Sequence, residues 1–171
     1  MSSYSKLIIF VIVLIVIASA IVLIDSSMDN INDSMPEISK GIVNGDKDYN
    51  ESVELVNNKY FSDAMSKAES AEANYNNSLD KLLGIEDKFD KDLNEVHKQY
   101  IRAIINEVRL KLKAVGELKI AIENFQEYSN YTGSTHASEA NDYIYESLDF
   151  QQDRNSIVEN NSDLFKENFI I

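Results

Sequence analysis

The sequence predicts an all-α protein, an N-terminal transmembrane helix followed by an antiparallel three- or four-helix bundle with one long helix. Three observations carry that prediction. Residues 7–24 read LIIFVIVLIVIASAIVLI, an uncharged run in which only Ser19 is polar. Beyond it, apolar residues recur three and four apart, the spacing of one helix face. One proline and five glycines in 171 residues are too few for the turns of an all-β domain.

At about 1.5 Å per residue the run extends about 27 Å as a helix, close to the roughly 30 Å hydrocarbon core of a bilayer. A helix apolar on every side needs burial all round, which membrane lipid supplies. Two readings fit. One is an uncleaved signal anchor. The other is a cleaved signal peptide with Lys6 ahead of it and Ala18-Ser19-Ala20 as the small-residue box. The apolar run continues past that box through Ile24, which favours the anchor. Lys6 precedes the run, whereas Asp25, Asp29, Asp33 and Glu37 follow it. The positive-inside rule then places residues 1–6 in the cytoplasm and residues 25–171 outside the cell membrane, in a single pass.

Composition narrows the function. The chain carries 16 Lys+Arg against 29 Asp+Glu, a net charge of −13. Such a balance argues against nucleic-acid binding, which needs clustered cations, and against lying flat on anionic lipid. Absence of cysteine excludes disulfides, thiolate zinc sites, lipidation at cysteine and a cysteine nucleophile. With only His97 and His136, a multi-histidine metal centre is not expected, nor is any cofactor. Lysine exceeds arginine 13 to 3, and Ile and Asn are abundant, which suggests an AT-rich prokaryotic genome.

Residues 25–45 hold Pro36, Gly41 and Gly45 and read as a juxtamembrane linker, with residues 46–171 as the extracytoplasmic helical domain. A short amphipathic piece at 46–58 offers Tyr49, Val53 and Val56. A helix over 61–83 has the stripe Phe61, Ala64, Ala68, Ala71, Tyr75, Leu79 and Leu82, and Gly84 is placed to end it. The long helix is expected over 86–128, with a near-heptad stripe that shifts phase at Tyr100 and Ile101 and permits coiled-coil-like self-association. Residues 129–134 read as a turn, and a last helix is expected over 135–158 with Ala140, Tyr143, Ile144 and Leu148 inward. The apolar tail, Leu164, Phe165, Phe169, Ile170 and Ile171, is expected to dock on the bundle.

Few residues point to chemistry, and no catalytic residue is assigned. Asp46 to Asn50 begin like a calcium loop, but Glu51 replaces the glycine and Asn57 the final glutamate. The acidic group Asp87, Asp90, Asp92 and Glu95 reads as a solvated helix start. His97, beside Lys98, reads as a surface residue, and His136 as an unremarkable helix-start residue. No phosphate loop, nucleophile elbow or His-Glu-x-x-His motif is present, so an enzyme is not expected. Five sequons, at Asn32, Asn50, Asn76, Asn130 and Asn160, are candidate glycosylation sites on the exported side. Tyr128, Tyr131, Tyr143 and Tyr145 flank the last turn and are candidates for a partner surface.

Residues 59–71 resemble the second helix of a tetratricopeptide repeat, through Phe61, Ala64 and Ala71. Ser52 fills a small-residue position of the first helix. Asp48, Glu51, Leu55 and Asn76 stand where the family has Trp, Leu, Tyr and Pro, and the pattern does not recur at a 34-residue period. The resemblance implies a helical hairpin used for protein contacts. Together these features predict a membrane-anchored interaction or structural module with a protein partner or a second copy of itself. The alternative is an extracytoplasmic sensory or ligand-binding bundle.

Overall fold

The structure, a computed structural model, describes residues 19–23, 29–89 and 93–169. Four helices dominate it: α1 (Asp29–Asn57), α2 (Phe61–Phe89), α3 (Glu95–Gln126) and α4 (Asn130–Asn160). Two short strands, β1 (Ser19–Leu23) and β2 (Phe165–Phe169), pair antiparallel with Ser19 opposite Phe169 and Leu23 opposite Phe165.

Short turns force sequential antiparallel packing. Cross-helix contacts fix the register. Lys81 reaches Glu37 and Ser52 reaches the Ala64 carbonyl between α1 and α2. Lys119 reaches Glu72 between α2 and α3, and Arg154 reaches Glu107 between α3 and α4. The helix pairs are α1–α2, α2–α3 and α3–α4, with a smaller α1–α3 contact. The fold is therefore an all-α, antiparallel four-helix bundle. Its turns at 58–60 and 127–129 share one end, and β1, β2 and the N-terminus of α3 share the other.

The core matches the periodicity of the sequence. Ala64, Ala68, Ala71, Tyr75 and Leu82 of α2 are buried, as are Val108, Val115, Leu118 and Ile122 of α3. Tyr100, Ile101, Ile104 and Ile105 are all buried together. The apparent phase shift at Tyr100 and Ile101 thus reflects α3's central place, with more than one apolar face covered.

Several boundaries differ from the sequence reading, for physical reasons. Residues 29–45, read as linker, are the first half of α1. Pro36 removes one backbone bond from that helix. The buried row Ile31, Met35, Ile38 and Ile42 holds it in place nonetheless. Gly84 does not end α2, which continues to Phe89. The expected long helix over 86–128 is divided, and its first residues belong to α2. Asn94 starts α3, its side chain accepting a 2.8 Å bond from the His97 amide. α4 begins at Asn130 rather than 135, because the turn closes within three residues.

Most of the apolar run falls in residues 1–18 and 24–28, outside the described residues, as does the cytoplasmic tail expected over 1–6. Its described part, Ser19–Leu23, is strand rather than the end of a helix over 7–24. Among the described residues, no helix is long and apolar enough to cross a membrane.

Candidate functional site

Midway along the bundle, four helices converge on buried charge. Asp46 of α1, Tyr75 of α2, and Glu107 and Lys111 of α3 are all at most 2 % exposed. The Lys111 Nζ lies 2.8 Å from Asp46 Oδ1 and 2.8 Å from Glu107 Oε1. The Tyr75 hydroxyl donates to Asp46 at 2.7 Å. Arg154 of α4 brings its Nε to 3.2 Å from Glu107 Oε2. Glu107 thus stands between two cations at ion-pair distance, without hydrogen-bond geometry at its oxygens. Two carboxylates face two cations, so the cluster is neutral overall.

Burial alone would lower the Lys111 pKa, but the charges of Glu107 and Asp46 outweigh it and hold the group above the ordinary lysine value. Burial pushes Tyr75 well above the usual tyrosine range, and the Asp46 charge adds to this. Burial raises Tyr100 to about 12. The lysine therefore stays charged and the tyrosines stay neutral through the physiological range. Such a cluster favours one helix register, since sliding α1, α3 or α4 by a turn would strand a buried charge, and sliding α2 would remove the Tyr75 bond to Asp46.

The residues that begin like a calcium loop lie on α1, already engaged. Asp46 belongs to the cluster. Asp48 accepts from Lys67, Ser70 and Asn74 at 2.9, 2.7 and 3.1 Å. Partial burial raises the Asp48 pKa, but the Ser70 bond and the Lys67 ammonium overcome it and set the carboxyl below its usual value.

At the turn end, Tyr60, Phe61, Phe125 and Tyr128 line a cleft of about 400 Å³, with Lys59 and Asp63 at its rim. Phe61 and Phe125 stack as its floor, ring centroids 6.1 Å apart. Tyr128 is 90 % exposed and Tyr131 88 %. Tyr128 also has φ 60°, as Lys59 has φ 64°. A bulky side chain in the left-handed region costs about 1–2 kcal/mol.

The four tyrosines singled out from sequence separate here. Tyr128 and Tyr131 share the turn end. Tyr143 lies half-buried on the α3–α4 side with Lys113 5.3 Å from its ring, and Tyr145 is exposed farther along α4. Tyr60 was missed, because only the antiparallel register brings the two turns together.

His97 is buried rather than at the surface. Its Nε2 meets the Leu164 carbonyl at 3.1 Å, and its ring packs edge-on to Phe165, 5.2 Å between centroids. The start of the apolar tail therefore docks on α3. Asp90 and Asp92 lie outside the described residues. Asp87 lies in the last turn of α2, and Glu95 opens α3.

Among the sequons, Asn76, Asn130 and Asn160 have exposed side chains, and Asn50 is half-buried. The hydroxyls of Ser52 and Ser78, which complete the Asn50 and Asn76 sequons, are buried and donate to Ala64 and Ile38 carbonyls. Asn130 and Asn160 stand at helix ends. The Asn32 side chain lies outside the described residues. No protein family, curated protein or solved structure matches this chain.

Proposed function

We propose that the chain is a membrane-tethered, non-catalytic helical module whose tyrosine-bearing turn end contacts a protein partner outside the cell. The observation that carries this reading is Tyr128. Its backbone is held in a costly left-handed conformation while its ring is almost wholly in water. That conformation closes the C-terminus of α3, the Ser129 N–H donating to the Asn124 carbonyl at 2.8 Å and the Tyr128 N–H to the Phe125 carbonyl at 3.2 Å, and it leaves the Tyr128 ring presented to solvent at the turn. Tyr60 and Tyr131 extend the patch, and tyrosine is a favoured anchor in protein interfaces.

The tether rests on the apolar run over 7–24, and the orientation on its flanking charges. If Ser19–Leu23 remained strand, residues 7–18 would reach only about 18 Å as a helix, short of a bilayer. The inserted protein therefore gives up the β1–β2 pair and returns those five residues to the helix. The turn end then projects away from the membrane, because α1 enters the bundle at the opposite end. The tetratricopeptide-like stretch lies in the α1–α2 hairpin, its alanine seam buried within the bundle. The sequons at Asn130 and Asn160 would face the same exported compartment.

A photoreactive amino acid placed at position 128 in living cells tests the reading against one at Asp149, an exposed α4 residue. The expected result is a discrete adduct from position 128 alone. Equal labelling from both positions, or none from 128, contradicts it.

A further inference from the structure

On the α3–α4 side, three potential metal ligands converge. His136 Nδ1 lies 2.6 Å from Glu117 Oε2 and 3.5 Å from Glu139 Oε2. One ligand atom from each residue falls within 4.8 Å of the others. Glu117 comes from α3, whereas His136 and Glu139 sit three apart on α4 and so share its face. All three remain in reach of solvent, with side chains 24, 26 and 50 % exposed for Glu117, His136 and Glu139.

Two carboxylates converge here on one imidazole. Among the described residues, His136 is the only basic side chain within ion-pair distance of Glu117 or Glu139. A neutral imidazole has one N–H and satisfies one carboxylate at most. The chain around it carries a net charge of −13, which raises the local concentration of cations.

We propose that Glu117, His136 and Glu139 form a divalent transition-metal site of the zinc class, clamping the start of α4 onto α3. One imidazole nitrogen and two carboxylate oxygens are a donor set that zinc accepts. With bonds of about 2.0–2.1 Å, the edge of a tetrahedral zinc site is about 3.4 Å. The Glu139 oxygen already stands near that separation from His136 Nδ1. Glu117 needs only a side-chain adjustment to move from 2.6 Å to it, and it is partly exposed and able to make one. Three protein ligands leave a fourth position for water or a partner's donor. The clamp falls in the first turns of α4, whose N-terminal Ser129 makes no side-chain capping bond. The low histidine count argued against a multi-histidine centre, but this site uses a single imidazole. It shares no residue with the tether or with the tyrosine end.

The test titrates Zn²⁺, and Co²⁺ as its coloured substitute, into metal-stripped full-length protein in detergent. The expected result is one equivalent bound, visible absorption of four-coordinate Co²⁺, and a raised melting temperature. His136→Gln and Glu117→Gln should each weaken binding by at least the about 10–100-fold that loss of an outer-shell partner costs. Glu146→Gln, an exposed change on α4, should leave binding unaltered. Circular dichroism before metal addition reports whether each variant is folded. Absence of binding to the wild type, or equal binding to folded His136→Gln, overturns the proposal.

Discussion

The Lys111 ammonium on α3 lies 2.8 Å from the Asp46 carboxylate on α1, and both side chains are closed to water. Through this pair, helices remote in sequence share one position along the bundle. Lys111→Met would leave Asp46 and Glu107 buried without their shared cation. The expected loss is about 3–5 kcal/mol, the usual cost of breaking a buried pair from one side. Chemical denaturation measures it. Replacing Asp46, Glu107, Lys111 and Arg154 together by apolar residues, with Tyr75→Phe, should cost far less, because no charge or hydroxyl is then stranded.

Stability should fall on the alkaline side. Lys111, Tyr49, Tyr75 and Tyr100 all have folded-state pKa values above their ordinary ones. A raised folded value contributes stability that is complete below the unfolded pKa, about 10 for Tyr and 10.4 for Lys. That contribution disappears as pH rises through the folded value. Melting temperatures should therefore drop above about pH 10, and Tyr75→Phe should reduce the slope. Asp48 acts in the opposite sense, its lowered pKa giving stability that is lost only as acid protonates it.

Two glycines in helices should respond oppositely to alanine. A Cβ at Gly45 would sit on the Tyr75 ring, whose hydroxyl serves Asp46, so Gly45→Ala should destabilise by about 1–3 kcal/mol. Nothing lies within 4 Å of a Cβ at Gly84, so Gly84→Ala should stabilise by about 1 kcal/mol. Paired thermal melts compare the two.

Tyr128→Gly should raise stability by about 1 kcal/mol by removing a side chain from the left-handed region. The same change should weaken partner capture at the turn end. Stability and binding moving in opposite directions would identify Tyr128 as a contact residue retained at a structural cost.

Much of the bundle was legible in the sequence, because apolar spacing survives in any context. The stripes of α2 and α3 named the core residues. Punctuation misled. Gly45 reads as a linker residue, yet it admits the close approach of Tyr75. Gly133 reads as a turn, yet a Cβ there would fall 2.7 Å from the Phe125 ring, inside α4. Glycine signals a breaker and a tight helix contact alike, and only the partner helix distinguishes them. His97 looked solvated beside Lys98, but the returning tail covers it. Glu107, Asp46 and Lys111 gave no signal among so many charges. Their pairing depends on helix register, which local pattern does not encode.

The tether and the outward turn end are tested most directly by distance to the bilayer. Single probes at Asn94 and at Tyr128, in protein reconstituted into vesicles, can be read by quenchers carried on the lipid headgroups. Asn94 should be strongly quenched, whereas Tyr128 should escape quenching at the far end of the 32-residue α3, about 48 Å away. Equal quenching at both sites, or protein that does not float with the vesicles, would contradict the tethered arrangement.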